Sequence, residues 1–408
     1  MIIIRDKIHK TISLMPRVMI DIITGRLNNR IEQAKAFEAL PIFNELVSSM
    51  TDEVDHAWIW REVKEFYRYV MFSHRWEHGE PLFEEVERVT VYNLGASRGN
   101  IKLHTFCYLV HSLGFRWAWS DTCCIDKENN VVLQESLVAM FAWYRGSSLT
   151  VIHLCDVSSE EEEPNGVRRS VWNTRVWTYQ EYVAARRVMF YTKDWKPYLG
   201  LTLENHKESP IILREMEMSQ VSSEQVAVLQ PGLDRVREKL YLASTRETTL
   251  VEDIAYSLLG ILNASIPVMY GEGTRAVGRL LEYVLTGSGD ATILAWTGVA
   301  NDYNSCLPVN LTVYRTVLPP HIPQMETAEL DLTVTKLRSS LPDASLAITL
   351  YHELTKLPPP TMLLVDYDFL ALFPISPTSA CQDCIHRRIA QRQTCLVSYG
   401  SKQKVTWW

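Results

Sequence analysis

Glu181 and Trp177 lie four residues apart in the stretch NTRVWTYQEYVAA, residues 173–185. On a helix they share one face, one above the other. A carboxylate beside an indole, on a helix that follows a strand, sits where open α/β sheets place their ligand crevice. A second polar group, Ser73-His74-Arg75-Trp76, follows directly on the β-forming run YRYVMF, residues 67–72. His74 and Arg75 have the chemistry to meet phosphate oxygens, and Asp121 to orient a hydroxyl or pin Arg75. The competing readings are a solvated helix carboxylate for Glu181 and a structural polar cluster for the others.

Three further groups invite chemistry and carry less. Cys123-Cys124 suggests a nucleophile, but no neighbouring base is visible in the sequence and core packing is the better reading. Gly271-Glu272-Gly273 with Gly278 has the wrong spacing for a dinucleotide loop and no strand before it. Cys381, Cys384, His386 and Cys395 could hold zinc only through a ragged second ligand pair, so no metal site is assigned.

The elements that must position these residues follow from periodicity. Leu103, Phe106, Cys107 and Val110 form one helical face that Gly114 ends. Residues 115–119 start a strand that delivers Asp121. A helix from near Val131 carries Leu133, Leu137, Met140, Phe141 and Tyr144 on one stripe and stops at Gly146. SSLTVIHL, residues 147–154, is a buried strand. The acidic loop at 156–166, with four consecutive glutamates, reads as solvated. The helix with Glu181 comes next, capped by Asn173 or Thr174, and then the strand RVMFY, residues 187–191. The order β-α-β-α-β-α-β with long crossovers predicts an open, doubly wound parallel sheet of the α/β class. In that topology Ser73–Trp76, Asp121–Asp126, Asp156 and the start of the Glu181 helix converge on the carboxyl edge.

Around this core, residues 1–62 are predicted to be a helical extension, 63–195 the α/β domain, 196–300 a helical region that includes a helix opening at 245–263, and 301–408 a β-rich or partly ordered appendage. The stop at Trp407-Trp408 has no evident domain ending, which leaves a truncated gene model open.

The chain has 408 residues, 47% hydrophobic and 22% charged, ordinary values for a globular protein. Twelve Trp and eighteen Tyr call for buried aromatic surface or stacking sites. A net charge of −7 without a basic run argues against a nucleic-acid partner. Eight thinly spread cysteines suggest a reducing compartment. Arg5, Asp6 and Lys7 interrupt the N-terminal apolar run, so no signal-peptide core is expected, and no apolar run of membrane-spanning length occurs. A cytoplasmic location follows as the expectation.

The blocks YVMFSHRW, WSDTCCIDK, AWYRG, VIHLCDV and WNTRVWTYQEYVAARRVMFY resemble, in order, those of the fungal heterokaryon incompatibility (HET) domain. TRETTLVEDIAYSLLGILNASIPVMYGEG and SGDATILAW resemble a segment that often follows it, so the likeness spans roughly residues 67–300. Two positions depart: Val176 where the family usually has Gly, and Lys127 where it usually has Gln. The HET domain in turn resembles Toll/interleukin-receptor (TIR) domains, a flavodoxin-like fold, and some of these cleave NAD. The resemblance implies a role in non-self recognition and regulated cell death, through NAD hydrolysis or, alternatively, through non-enzymatic self-assembly. It makes Glu181 the catalytic carboxylate, with Ser73, His74, Arg75, Trp76, Asp121 and Trp177 around the substrate. NAD would be substrate, and no cofactor is implied.

Overall fold

The computed structural model describes residues 1–49, 55–160, 164–216, 229–315, 361–365, 395–399 and 405–407. The chain divides into two compact units. The first comprises residues 1–231, 246–248 and 256–261, and the second 232–245, 249–255 and 262–408.

The first unit is built on a six-stranded sheet in the order β2-β1-β4-β3-β5-β6. The strands are β1 (Val18–Asp21), β2 (Arg26–Asn29), β3 (Tyr69–His74), β4 (Trp117–Trp119), β5 (Leu149–Leu154) and β6 (Val188–Thr192). Strands β4, β3, β5 and β6 run parallel, as the sequence pattern predicts. All six residues of β3 are buried, as are all six of β5. That is the pattern of parallel strands covered on both faces, and it explains their largely apolar character.

Helix α6 (Arg98–Ser112) links β3 to β4, α7 (Asn130–Gly146) links β4 to β5, and the short α8 (Gly166–Arg169) and α9 (Val176–Ala184) lie between β5 and β6. The chain leaves β3 in one direction to β4 and returns past it to β5, so the order reverses at β3. The crevice expected of such a sheet therefore opens beyond the carboxyl ends of β3 and β5. Successive residues of β3 serve opposite faces. Phe72 stacks on Phe106 of α6, with centroids 4.2 Å apart. Its neighbour Ser73 turns to the face where α7 packs on α9.

Three local expectations need correcting. Residues 1–62 are not only helical: besides helices α1 (Ile2–Ser13), α2 (Arg30–Glu38), α3 (Pro41–Ser48) and α4 (His56–Phe66) they supply the hairpin β1–β2. β1 joins β4 antiparallel and extends the sheet. Strands of four residues leave too short a period-two trace to stand out among helices. Helix α9 starts at Val176 with Arg175 at its N-cap, and neither Asn173 nor Thr174 caps it. The stretch 245–263 does not form one helix: only Asp253–Tyr256 is helical, Glu247 forms a β-bridge, and the rest is turns, bends and irregular chain. At Gly260 a Cβ would collide with the Phe141 ring, so tertiary packing decides that stretch.

In the second unit, helices Val236–Ser244 and Arg275–Ser288 are the longest among the described residues, and Glu252 accepts the backbone N–H groups of Gly271 and Gly273, each at 2.9 Å. The three short strands Thr361–Val365, Cys395–Tyr399 and Val405–Trp407 form an antiparallel sheet. Glu160 of the acidic loop is exposed, while residues 161–163 lie outside the described residues. The same holds for Cys381, Cys384 and His386, and for the side chain of Cys395.

The turn after β3 is held by a close backbone approach. Gly99, in the first turn of α6, sits so near Gly79 that a Cβ there would run into the Gly79 carbonyl. Gly99→Ala should therefore destabilise the chain by roughly 1–3 kcal/mol, as overpacking does. A denaturant midpoint equal to that of the parent would disprove the close contact.

Candidate functional site at the carboxyl edge of the sheet

Ser73, near the carboxyl end of β3, is fully buried and carries two directed bonds. Its hydroxyl accepts the indole N–H of Trp172 at 2.8 Å and donates its own proton to Glu181 Oε2. From α7 the Tyr144 hydroxyl donates to the Phe72 carbonyl at 2.9 Å, and it is also hydrogen-bonded to Glu181. The phenol has one proton, which it can offer to the Phe72 carbonyl or to Glu181, and a bond offered to Glu181 favours the ionised carboxyl.

Burial outweighs these bonds. Burial, and then the Asp121 charge, push Glu181 up from 4.5 to about 8, against the opposing pull of Ser73, Tyr144 and Arg175. The same burial, with the Glu181 and Asp121 charges, holds the Tyr144 phenol well above its ordinary range. The competing reading of Glu181 as a solvated helix carboxylate is thus wrong: the residue is 5% exposed and enclosed. A single helix's pattern cannot reveal that a seventeen-residue helix and a strand end close over it.

On the opposite face His74 stacks on Phe72 at 4.2 Å, Nε2 lies 3.4 Å from Asp121 Oδ1, and Nδ1 lies 3.7 Å from Glu80 Oε1. These are ion-pair distances rather than full hydrogen bonds. Asp121 Oδ2 accepts the Trp76 indole N–H at 2.7 Å, and Lys127 Nζ sits 3.7 Å above the Trp76 ring. Burial would raise the Asp121 carboxyl, but nearby His74, Lys127 and the Trp76 N–H outweigh it and lower it. Burial lowers Lys127. This Lys127 is the residue that departs from the family's usual Gln, and its place is on the indole. Buried Lys102 of α6 binds Glu80, and its Nζ donates to the Arg75 carbonyl at 3.1 Å, which pins the turn.

Of the residues read from the sequence, Ser73 joins Glu181, and His74 and Trp76 join Asp121. Arg75 is exposed and forms no ion pair among the described residues. Trp177 is half-buried, and the indole that reaches the Glu181 carboxyl, through Ser73, is Trp172 instead. Sequence reasoning missed Trp172, Tyr144 and Arg246. Tyr144 was hidden as one more member of an apolar stripe, and Trp172 precedes the helix, where periodicity says nothing.

Cys123 and Cys124 are buried, and the bond to Cys124 and burial push the Cys123 thiol well up, the opposite of an activated nucleophile. Among the described residues no group of His, Cys, Asp and Glu is arranged to hold a metal ion, and no helix is long and apolar enough to cross a membrane. A cavity of about 570 Å³ lies between β2 and α5 (Phe83–Arg88) and is lined by none of these site residues.

The family model for the heterokaryon incompatibility protein (HET) matches residues 69–169. The chain carries a HET domain. The matched HET segment begins with β3 and contains Ser73, His74, Asp121 and Tyr144, while Trp172 and Glu181 lie just beyond it. Over 251 residues the chain is 32% identical to the vegetative incompatibility protein HET-E-1 of Podospora anserina. That stretch is 57% of this chain and 17% of the relative, so the chain spans a small part of the relative's length. No solved structure matches the chain.

Proposed function

We propose that this chain acts in heterokaryon incompatibility, as an effector of non-self recognition and cell death, and that the carboxyl-edge centre of its HET domain hydrolyses NAD at the nicotinamide–ribose bond. The observation that supports it is the convergence of Ser73, His74, Asp121 and Glu181 at the point where the strand order reverses, with Glu181 raised to about 8. Strongly perturbed carboxyls gather at working sites more often than in plain structural networks. As the glycosidic C–N bond breaks, its electron pair leaves with nicotinamide and positive charge builds on the ribose. An ionised Glu181 would steady that charge, and water would then add to the ribose carbon and release a proton.

In the resting chain Glu181 is neutral and enclosed, so substrate entry must break its bonds to Ser73 and Tyr144. That enclosure is also what favours a second reading, in which the HET domain signals by self-association and Glu181 is structural. The deciding experiment incubates the purified full chain at high concentration with NAD and follows nicotinamide release against oligomeric state. Release that scales with assembly supports hydrolysis. Stable assemblies that leave NAD intact would leave only the second reading.

A further inference from the structure

We infer that Arg246 is a positioning residue for Glu181: its buried guanidinium, bonded to neutral groups at the start of α9, holds that helix in place and supplies the positive charge that allows the carboxyl to ionise. The inference rests on Glu181 as the working carboxyl and not on which reaction it serves.

Residues 246–247 fold back onto the turn that opens α9. The Val176 N–H donates to the Glu247 carbonyl at 3.0 Å and the Glu247 N–H to the Thr174 carbonyl at 2.6 Å, a single parallel bridge. From this strap the Arg246 side chain runs inward and is 8% exposed as a residue. Nη1 donates to the Arg175 carbonyl at 3.0 Å and to Thr178 Oγ1 at 3.1 Å, and Nη2 donates to Asn173 Oδ1 at 2.7 Å. The guanidinium also lies 5.1 Å from the Tyr179 ring. Every one of these partners belongs to the first turn of α9 or the residues just before it. This also explains why Asn173 does not cap the helix: its side-chain oxygen is taken by Arg246.

Burying a guanidinium is costly unless an anion compensates it, yet Arg246 forms no ion pair among the described residues. A staple for one helical turn does not need a charge. Burial lowers Arg246 only to about 10, so the cation persists at neutral pH, and the groups that favour its charged form are Tyr179 and Glu181. Glu181 faces Ser73 and Trp172, which are neutral, the Tyr144 phenol from α7, the Asp121 carboxylate after β4, and the cations Arg175 and Arg246. Asp121 opposes its ionisation. Arg175 favours it, and so does the buried Arg246, whose Nη1 sits on Thr178 Oγ1, three residues before Glu181 and on the same side of α9.

The test titrates the Glu181 carboxyl in the full chain by infrared difference spectroscopy, with Glu181→Gln as the blank. In Arg246→Gln the ionisation midpoint should move up by about one pH unit or more. In Arg246→Lys the charge stays and the forked donor pattern goes, so the melting temperature should fall while the midpoint stays near that of the parent. A folded Arg246→Gln with an unmoved midpoint would overturn the inference. Should that variant not fold, Arg246→Lys decides, because a midpoint raised despite the retained charge would equally overturn it. Neither readout uses turnover, so a chain that leaves NAD intact could still bear the inference out.

Discussion

Glu181→Gln should be more stable than the parent at neutral pH, by roughly 3 kcal/mol at pH 7. The neutral acid in the folded chain accepts from Ser73 and is hydrogen-bonded to Tyr144. A glutamine can meet both, its carbonyl accepting and its amide donating. The difference arises in the unfolded chain, where the glutamate ionises at its ordinary 4.5 while the folded one holds its proton to about 8. An acid raised in the folded state contributes stability that is fully present below the unfolded value and is lost as pH rises through the folded value. The parent should therefore lose stability relative to the variant between about pH 4.5 and 8, with a constant gap above that window. Urea unfolding of both proteins from pH 4 to 9 measures this directly. A parent that is the more stable of the two at pH 7 would mean that Glu181 is ionised in the folded chain.

The second large effect concerns chemistry. If the HET domain cleaves NAD, Glu181→Gln removes the charge that steadies the cationic ribose, and turnover should fall about a hundredfold or more. In the parent, turnover should rise with pH as Glu181 loses its proton and level off above about 8, the value to which burial pushes it. The variant should show no such rise. Cell killing on overexpression should drop together with NAD loss. A variant that still kills while NAD stays intact would identify assembly as the working mode. Because the same substitution is expected to stabilise the fold, lost activity cannot be ascribed to unfolding, and a melting curve checks that point.

The two effects pull apart in a useful way. A carboxyl kept for packing alone would be better as an amide at pH 7. Glu181 instead carries a stability penalty of the kind that working sites hold and that neighbouring structure offsets.

Much of this architecture was legible along the chain. Strands β3 and β5 are largely apolar runs, and α7 announces itself by the stripe from Leu137 to Tyr144. Alternation of such strands and helices constrains topology, because right-handed crossovers leave few ways to arrange them. Hence the sequence alone determined the parallel core and the edge at which Ser73, His74, Asp121 and Glu181 meet. It did not determine the hairpin β1–β2, whose four-residue strands carry almost no periodic signal and are held by pairing with β4. Nor did it determine the state of Glu181. Periodicity reports which face of a helix points inward, and it is blind to what arrives there from elsewhere. Tyr144 comes from 37 residues upstream of Glu181, Ser73 from 108, and Arg246 reaches back 71 residues to Arg175. Only the tertiary structure brings these groups together, and burial among them, rather than residue type, turns an ordinary glutamate into a neutral acid.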